Sequence, residues 1–155
     1  MREILFKAKR LDNGEWVEGA YLHQTDYYGE KCDKHYIIDG TETDMEGYGE
    51  HYLIDKDTLC QYTGFTDKNG NKIWENDILK GFEYPFCDEG DFNYYAHVVW
   101  FDNCPAFGVY TIKNPKSNVR GISEGNTEFM DEWDSEKWEV IGNIFDNPEL
   151  IGGGE

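Results

Sequence analysis

Apolar and aromatic residues alternate with polar ones along this chain in short runs, separated by turns that carry Gly, Asn and Asp. Alternation with a period of two puts successive side chains on opposite faces of an extended strand. In Arg2 to Arg10, the residues Ile4, Phe6 and Ala8 share one face. In Glu15 to Leu22, Trp16, Glu18, Ala20 and Leu22 share one face, and Val17, Gly19 and Tyr21 the other. Leu11-Asp12-Asn13-Gly14 lies between them, and Asn-Gly tolerates the positive φ of a tight hairpin turn, so the chain opens on a β-hairpin. The stretch Leu59 to Lys80 repeats the device around Asn69-Gly70 and feeds a new strand at Asp77.

Gln24 to Lys34 is polar and reads as a loop, with His35 to Ile38 a short strand after it. Asp39 to Glu50 is rich in acid and Gly and reads as an exposed loop. His51 to Ile54 extends a further strand. Ile78 to Tyr84 is a strand that stops at Pro85, and Cys87 to Asp91 is an acidic turn. Phe92 to Phe101 alternates most strongly, and its apolar end on both faces is expected inside the protein. Phe107 to Ile112 returns as its partner, and Asn114 to Gly125 is a loop. Within Glu124 to Glu136, a cap at Asn126 or Thr127 and the spacing of Phe129 and Trp133 predict a short helix. Trp138 to Phe145 is a final strand, Asn147-Pro148 opens a helical turn, and Gly152 to Glu155 is a fraying tail.

The count is about eight to ten strands joined mostly to their neighbours, which defines an all-β, mostly antiparallel chain. The expected division is an N-terminal β-hairpin sheet over residues 1–76, including the central hairpin, a small barrel over 77–151, and a flexible tail at 152–155.

Charge narrows the partners. With 14 basic against 32 acidic residues the formal net charge is −18, and residues 81–155 carry 4 basic and 15 acidic residues. Such a field repels phosphate backbones, so direct nucleic-acid binding is disfavoured, whereas a basic protein partner is attracted. No apolar run reaches the roughly 18 residues of a membrane span and no signal-peptide core is present, so no membrane association and a cytoplasmic location in a bacterial host are expected. Cys32, Cys60, Cys87 and Cys104 are singly spaced, as befits unbridged thiols.

Three segments resemble a known family. They are Met1 to Arg10 with Asn13-Gly14-Glu15-Trp16-Val17-Glu18-Gly19, Gln61 to Gly70 with Ile73-Trp74-Glu75-Asn76-Asp77-Ile78, and Glu139 to Leu150. Together and in this order they resemble the YopX-like proteins of phages and prophages, with Asn76 standing where Gly is expected. The resemblance implies a phage or prophage origin and a second half like an SH3-type barrel. It carries no catalytic residues.

Candidate chemistry is sparse. Gly121-Ile122-Ser123-Glu124-Gly125 matches the G-x-S-x-G elbow by letter, but it follows a Pro-containing loop and no His comes after His97. Counted as a calcium loop from Asp67, Gly falls at the fourth position and Ile78 at the twelfth, so the hairpin reading stands. Asp39, Asp44 and Glu50 are weak calcium ligands at best. Cys32 and His35 have a ligand-like spacing without a second pair, and His23, His51 and His97 read as structural. Gly47-Tyr48-Gly49 lacks the setting of a phosphate cradle. The expectation is no catalytic residue, no cofactor and no metal ligand.

Aromatic residues exceed what a small barrel interior holds. Trp74, Phe82, Tyr84, Phe86 and Trp133 are therefore expected at an interaction surface. The predicted role is a non-enzymatic accessory protein of a phage or prophage that contacts a host or phage protein, or a second copy of itself. The alternative is an acidic nucleic-acid mimic that sequesters a basic DNA-binding protein.

Overall fold

The computed structural model describes residues 3–43, 49–82, 93–112, 125, 127–130 and 137–151. They form two units, Met1–Tyr62 and Thr63–Glu155, so the division falls inside a strand and not at 76/77.

The first unit holds β1 (Phe6–Lys9), β2 (Trp16–Tyr27), β3 (Glu30–Thr43), β4 (Gly49–Leu53), a 3₁₀ turn at Lys56–Thr58 and the start of β5 (Cys60–Thr66). The strands are antiparallel in the order β4-β3-β2-β1-β5. The hairpin at Asn13-Gly14 is present, with Gly14 at φ 73° and Arg10 N–H donating to the Glu15 carbonyl. The predicted loop at Gln24 to Lys34 is instead a long hairpin: β2 and β3 meet at Tyr28-Gly29, both at positive φ (51° and 85°). Consecutive positive φ values give the turn whose twist matches that of the strands. Likewise, part of the loop predicted from Asp39 onward is strand, because β3 runs to Thr43 and Asp39 pairs with Glu50 of β4. The sheet curls until Ile54 bridges back to Arg10.

One face of that sheet is its core. Ala8, Val17, Ile37 and Ile54 are buried there, with Phe6, Tyr21, Tyr52 and Leu59 packed around them.

The second unit continues β5 into β6 (Lys72–Trp74) and then builds a five-stranded antiparallel sheet. Its strands are β7 (Asp77–Phe82), β8 (Asn93–Phe101), β9 (Ala106–Ile112), β10 (Thr127–Phe129) and β11 (Glu139–Asn143), in the order β10-β9-β8-β7-β11. A second 3₁₀ turn follows at Pro148–Leu150. Among the described residues β10 and β11 are edges that do not pair with each other, so the sheet is open and the expected barrel is not formed. Thr127–Phe129 is strand where a helix was predicted; pairing with Gly108–Tyr110 satisfies its backbone at the edge of β9. The core gathers Ile73, Leu79, Ala96, Val98, Phe107, Val109, Met130 and Trp138. The end of β8 is less enclosed than expected, since Trp100 keeps 38% of its surface exposed.

Asp67 ties this unit together. The residue is 5% exposed, and its carboxylate accepts from Asn69 N (2.9 Å), Asn71 N (2.8 Å), Asn71 Nδ2 (3.1 Å) and, across 73 residues, Val140 N (3.0 Å). Burial pushes its pKa up, but the hydrogen bonds from Val140, Asn71 and Asn69 outweigh that and hold it below the usual carboxylate value.

Candidate functional site

The long β2–β3 hairpin sets the chemistry of the first unit. Its register puts His23 directly opposite His35, with the rings stacked at 4.3 Å and 10° apart in plane. Beyond this pair the ladder slips: Gln24 faces Lys34, but Asp26 faces Lys31, so Cys32 and Asp33 together oppose Thr25. A bulge of this kind re-aims side chains. Here the Asp33 carboxylate meets both imidazoles, its Oδ1 lying 2.7 Å from His23 Nε2 and 3.1 Å from His35 Nε2.

Packing holds the group in place. His35 is 12% exposed, stacks on Tyr21 and is hydrogen-bonded through Nδ1 to the Tyr21 hydroxyl at 2.7 Å. Tyr21 in turn packs against Phe6, so the imidazoles continue the core face of the sheet outward. Lys56 Nζ lies 3.5 Å from Asp33 Oδ2. The hydrogen bond from His23, opposed by desolvation and aided by the charges of Lys56, His35 and His23, holds the Asp33 carboxyl below its usual pKa. Two imidazole nitrogens and a carboxylate oxygen thus lie within 4.8 Å of one another, a donor set of the kind that holds a metal ion.

From the sequence His23 reads as structural and His35 only as half of a ligand-like spacing with Cys32, because the loop reading of residues 24–34 hides the pairing of the two histidines. A turn at 28–29 pairs positions that sum to 57, and only the bulge at Cys32-Asp33 raises the sum to 58 and brings His23 opposite His35, a shift that no sequence signal announces. Cys32 and His35 do not come together, since the Cys32 thiol donates to the Gln24 carbonyl at 3.3 Å. His51 lies on the opposite, outer face, and His97 belongs to the second unit, 3.3 Å from Asn76 Oδ1.

That outer face carries the other feature. Leu22, Tyr36 and Leu53 are cross-strand neighbours in one row over β2, β3 and β4. Leu22 and Leu53 are each 41% exposed, and Leu11, whose N–H donates to the Leu53 carbonyl, is 59% exposed. Two shallow depressions flank the row and share His51; one includes Asp26, the other Asp12 and Glu50.

The aromatic residues expected at a surface divide differently. Trp74 is 4% exposed, its backbone N–H donating to Asp77 Oδ2 at 2.8 Å, so it is a core residue and not a contact surface. The backbone of Phe82 ends β7, but its side chain and the residues Tyr84, Phe86 and Trp133 lie outside the described residues. So do Gly121 to Glu124 of the elbow-like motif, and Asp44.

No curated protein matches the chain. Among solved structures, the crystal structure of protein EF1440 from Enterococcus faecalis is similar over 98% of this chain and 100% of that one, at 20% identity and a TM-score of 0.48. A family model described as YopX protein matches residues 5–152, nearly the whole length, and the chain therefore belongs to the YopX family.

Proposed function

We propose that this protein is a non-enzymatic interaction module of phage or prophage origin, which docks a basic protein partner on the outer face of its first unit. The observation that carries the reading is the exposed row Leu22, Tyr36 and Leu53, backed on its other side by a filled core. Leucine side chains left in water gain roughly 25 cal/mol for each Å² of apolar surface that a partner covers. The charge selects that partner. At −18 overall, with Asp26 and Glu50 beside the row and the charge of Asp12 there matched by Arg10, a second copy would be repelled at low salt and a basic surface attracted.

The test is affinity capture from bacterial lysate with wild type and a Leu22→Asp/Leu53→Asp double variant, each washed at low and then high salt, alongside light scattering of both. The expected result is a basic protein held by wild type, released by salt and lost from the double variant. Capture indifferent to the double variant overturns the reading, as does a wild-type oligomer that the variant breaks, which would make the row a self-association surface. Capture of a DNA-binding protein that the variant leaves intact would favour the nucleic-acid mimic.

A further inference from the structure

We propose that His23, Asp33 and His35 form a binding site for one divalent transition-metal ion of the zinc class, which clamps the two strands of the β2–β3 hairpin together. This stands apart from the docking reading, because the cluster lies on the core side of the sheet and the leucine row on the other.

The donor set decides the class of ion. Two imidazoles and one carboxylate suit zinc, nickel or copper, whereas calcium and magnesium require shells of oxygen. Spacing agrees. Bonds of about 2.0–2.1 Å in a tetrahedral site separate the ligand atoms by roughly 3.3 Å. The Asp33 oxygen lies 2.7 Å and 3.1 Å from the two imidazole nitrogens, close to that spacing, and a tilt of the exposed His23 ring away from its stack on His35 turns both nitrogens toward one ion.

The shell behind the ligands has the required polarity as well. A histidine that binds through Nε2 must carry its proton on Nδ1, and Tyr21 Oη, 2.7 Å from His35 Nδ1, can accept from it after serving as a donor to the metal-free ring. Lys56 sits at the second Asp33 oxygen, leaving Oδ1 to face the imidazoles. His35 is fixed by burial, while His23 and Asp33, 40% and 62% exposed, leave the ion a path from solvent and an open fourth position.

The full-length chain tests this by calorimetric titration with zinc chloride and by visible absorption on titration with cobalt(II). Wild type is expected to bind zinc one to one and to give tetrahedral cobalt bands. His23→Gln, Asp33→Asn or His35→Gln should weaken zinc by at least about ten-fold, and Tyr21→Phe, a positioning change, by about ten-fold with the bands retained but shifted. His51→Gln on the outer face should leave the affinity unchanged, and calcium should not compete. A nitrogen-15 spectrum of the imidazoles gives a readout on wild type alone, in which zinc should move the signals of His23 and His35 and not those of His51 and His97. The proposal is overturned if zinc fails to bind at millimolar concentration, if the His23 and Asp33 variants bind it as wild type does, or if the imidazole signals of His23 and His35 stay still.

Discussion

Replacing Asp67 with Asn should remove much of the stability of the second unit, although the two side chains have the same shape. The carboxylate accepts four N–H groups, two on each oxygen. An amide keeps one oxygen for Asn69 N and Asn71 N, but turns its NH₂ toward Val140 N and Asn71 Nδ2, donor against donor. Leaving a buried donor unpaired costs about 1–3 kcal/mol, and the two surviving bonds lose the strength of a charged acceptor. The sum is about 3 kcal/mol. For a unit of this size that lowers Tm by roughly 10–20 °C. Urea and thermal unfolding followed by tryptophan emission will measure it, because Trp138 is 1% exposed and its carbonyl accepts from Lys68 N. The loss should also depend on pH. The folded pKa of Asp67 lies below its unfolded value of about 3.9, so its stabilisation is fully present above that value and is lost as pH falls through the folded pKa. The gap between wild type and variant should therefore narrow in acid. A variant within about 0.5 kcal/mol of wild type at pH 7, or a gap that stays constant down to the acid transition, would refute the reasoning.

Two other substitutions probe packing and titration. At Gly108 a Cβ would lie 2.2 Å from Phe101 Cε2 and 2.4 Å from the Glu128 carbonyl oxygen, so Gly108→Ala should cost about 2–3 kcal/mol in urea unfolding, whereas Gly40→Ala, with open space around it, should stay within about 0.5 kcal/mol. Burial holds the pKa of His97 below 6.5, so stability should fall as pH drops from about 6.5 toward the folded pKa, with a slope of at most about 1.4 kcal/mol per pH unit; His97→Phe should flatten that slope, and an unchanged profile would count against it.

What could be read from the sequence was local. Asn13-Gly14 and Asn69-Gly70 announced their hairpins because Gly14 and Gly70 sit at φ 73° and 82°, as the turns require. Asn76, singled out as standing in place of Gly, indeed sits at φ 67°, a conformation Asn tolerates. The β2–β3 hairpin escaped because Gln24, Asp26, Lys31 and Lys34 give no apolar alternation and a Tyr occupies the first positive-φ position of its turn. With that hairpin went the site, since His23 and His35 are neighbours only through the register. That the second sheet stays open among the described residues was not legible either, because closure depends on how strands twist and stagger together and not on any one strand. The number of aromatic residues could not say which were exposed, and Trp74 filled the core.

The segments that carry the family likeness are themselves a structural knot. The turn Asp67 to Asn71 and the strand at Glu139, distant in sequence, are joined by Val140 N to Asp67, Lys68 N to the Trp138 carbonyl, and the Lys68–Glu139 ion pair at 2.6 Å. Further along, Ile144 N donates to the Asn76 carbonyl, Asn143 pairs with Asp77, and a Cβ on Gly142 would collide with the Asn147 side chain. Each of these residues is constrained by backbone geometry or by a buried donor, which explains its place in a recognisable pattern without any ligand. His23, Asp33, His35, Leu22 and Leu53 all lie outside the three segments, on a hairpin arm and a sheet face of the first unit. The three segments therefore mark a scaffold, and the docking and metal-binding proposals stand on the geometry of the first unit alone.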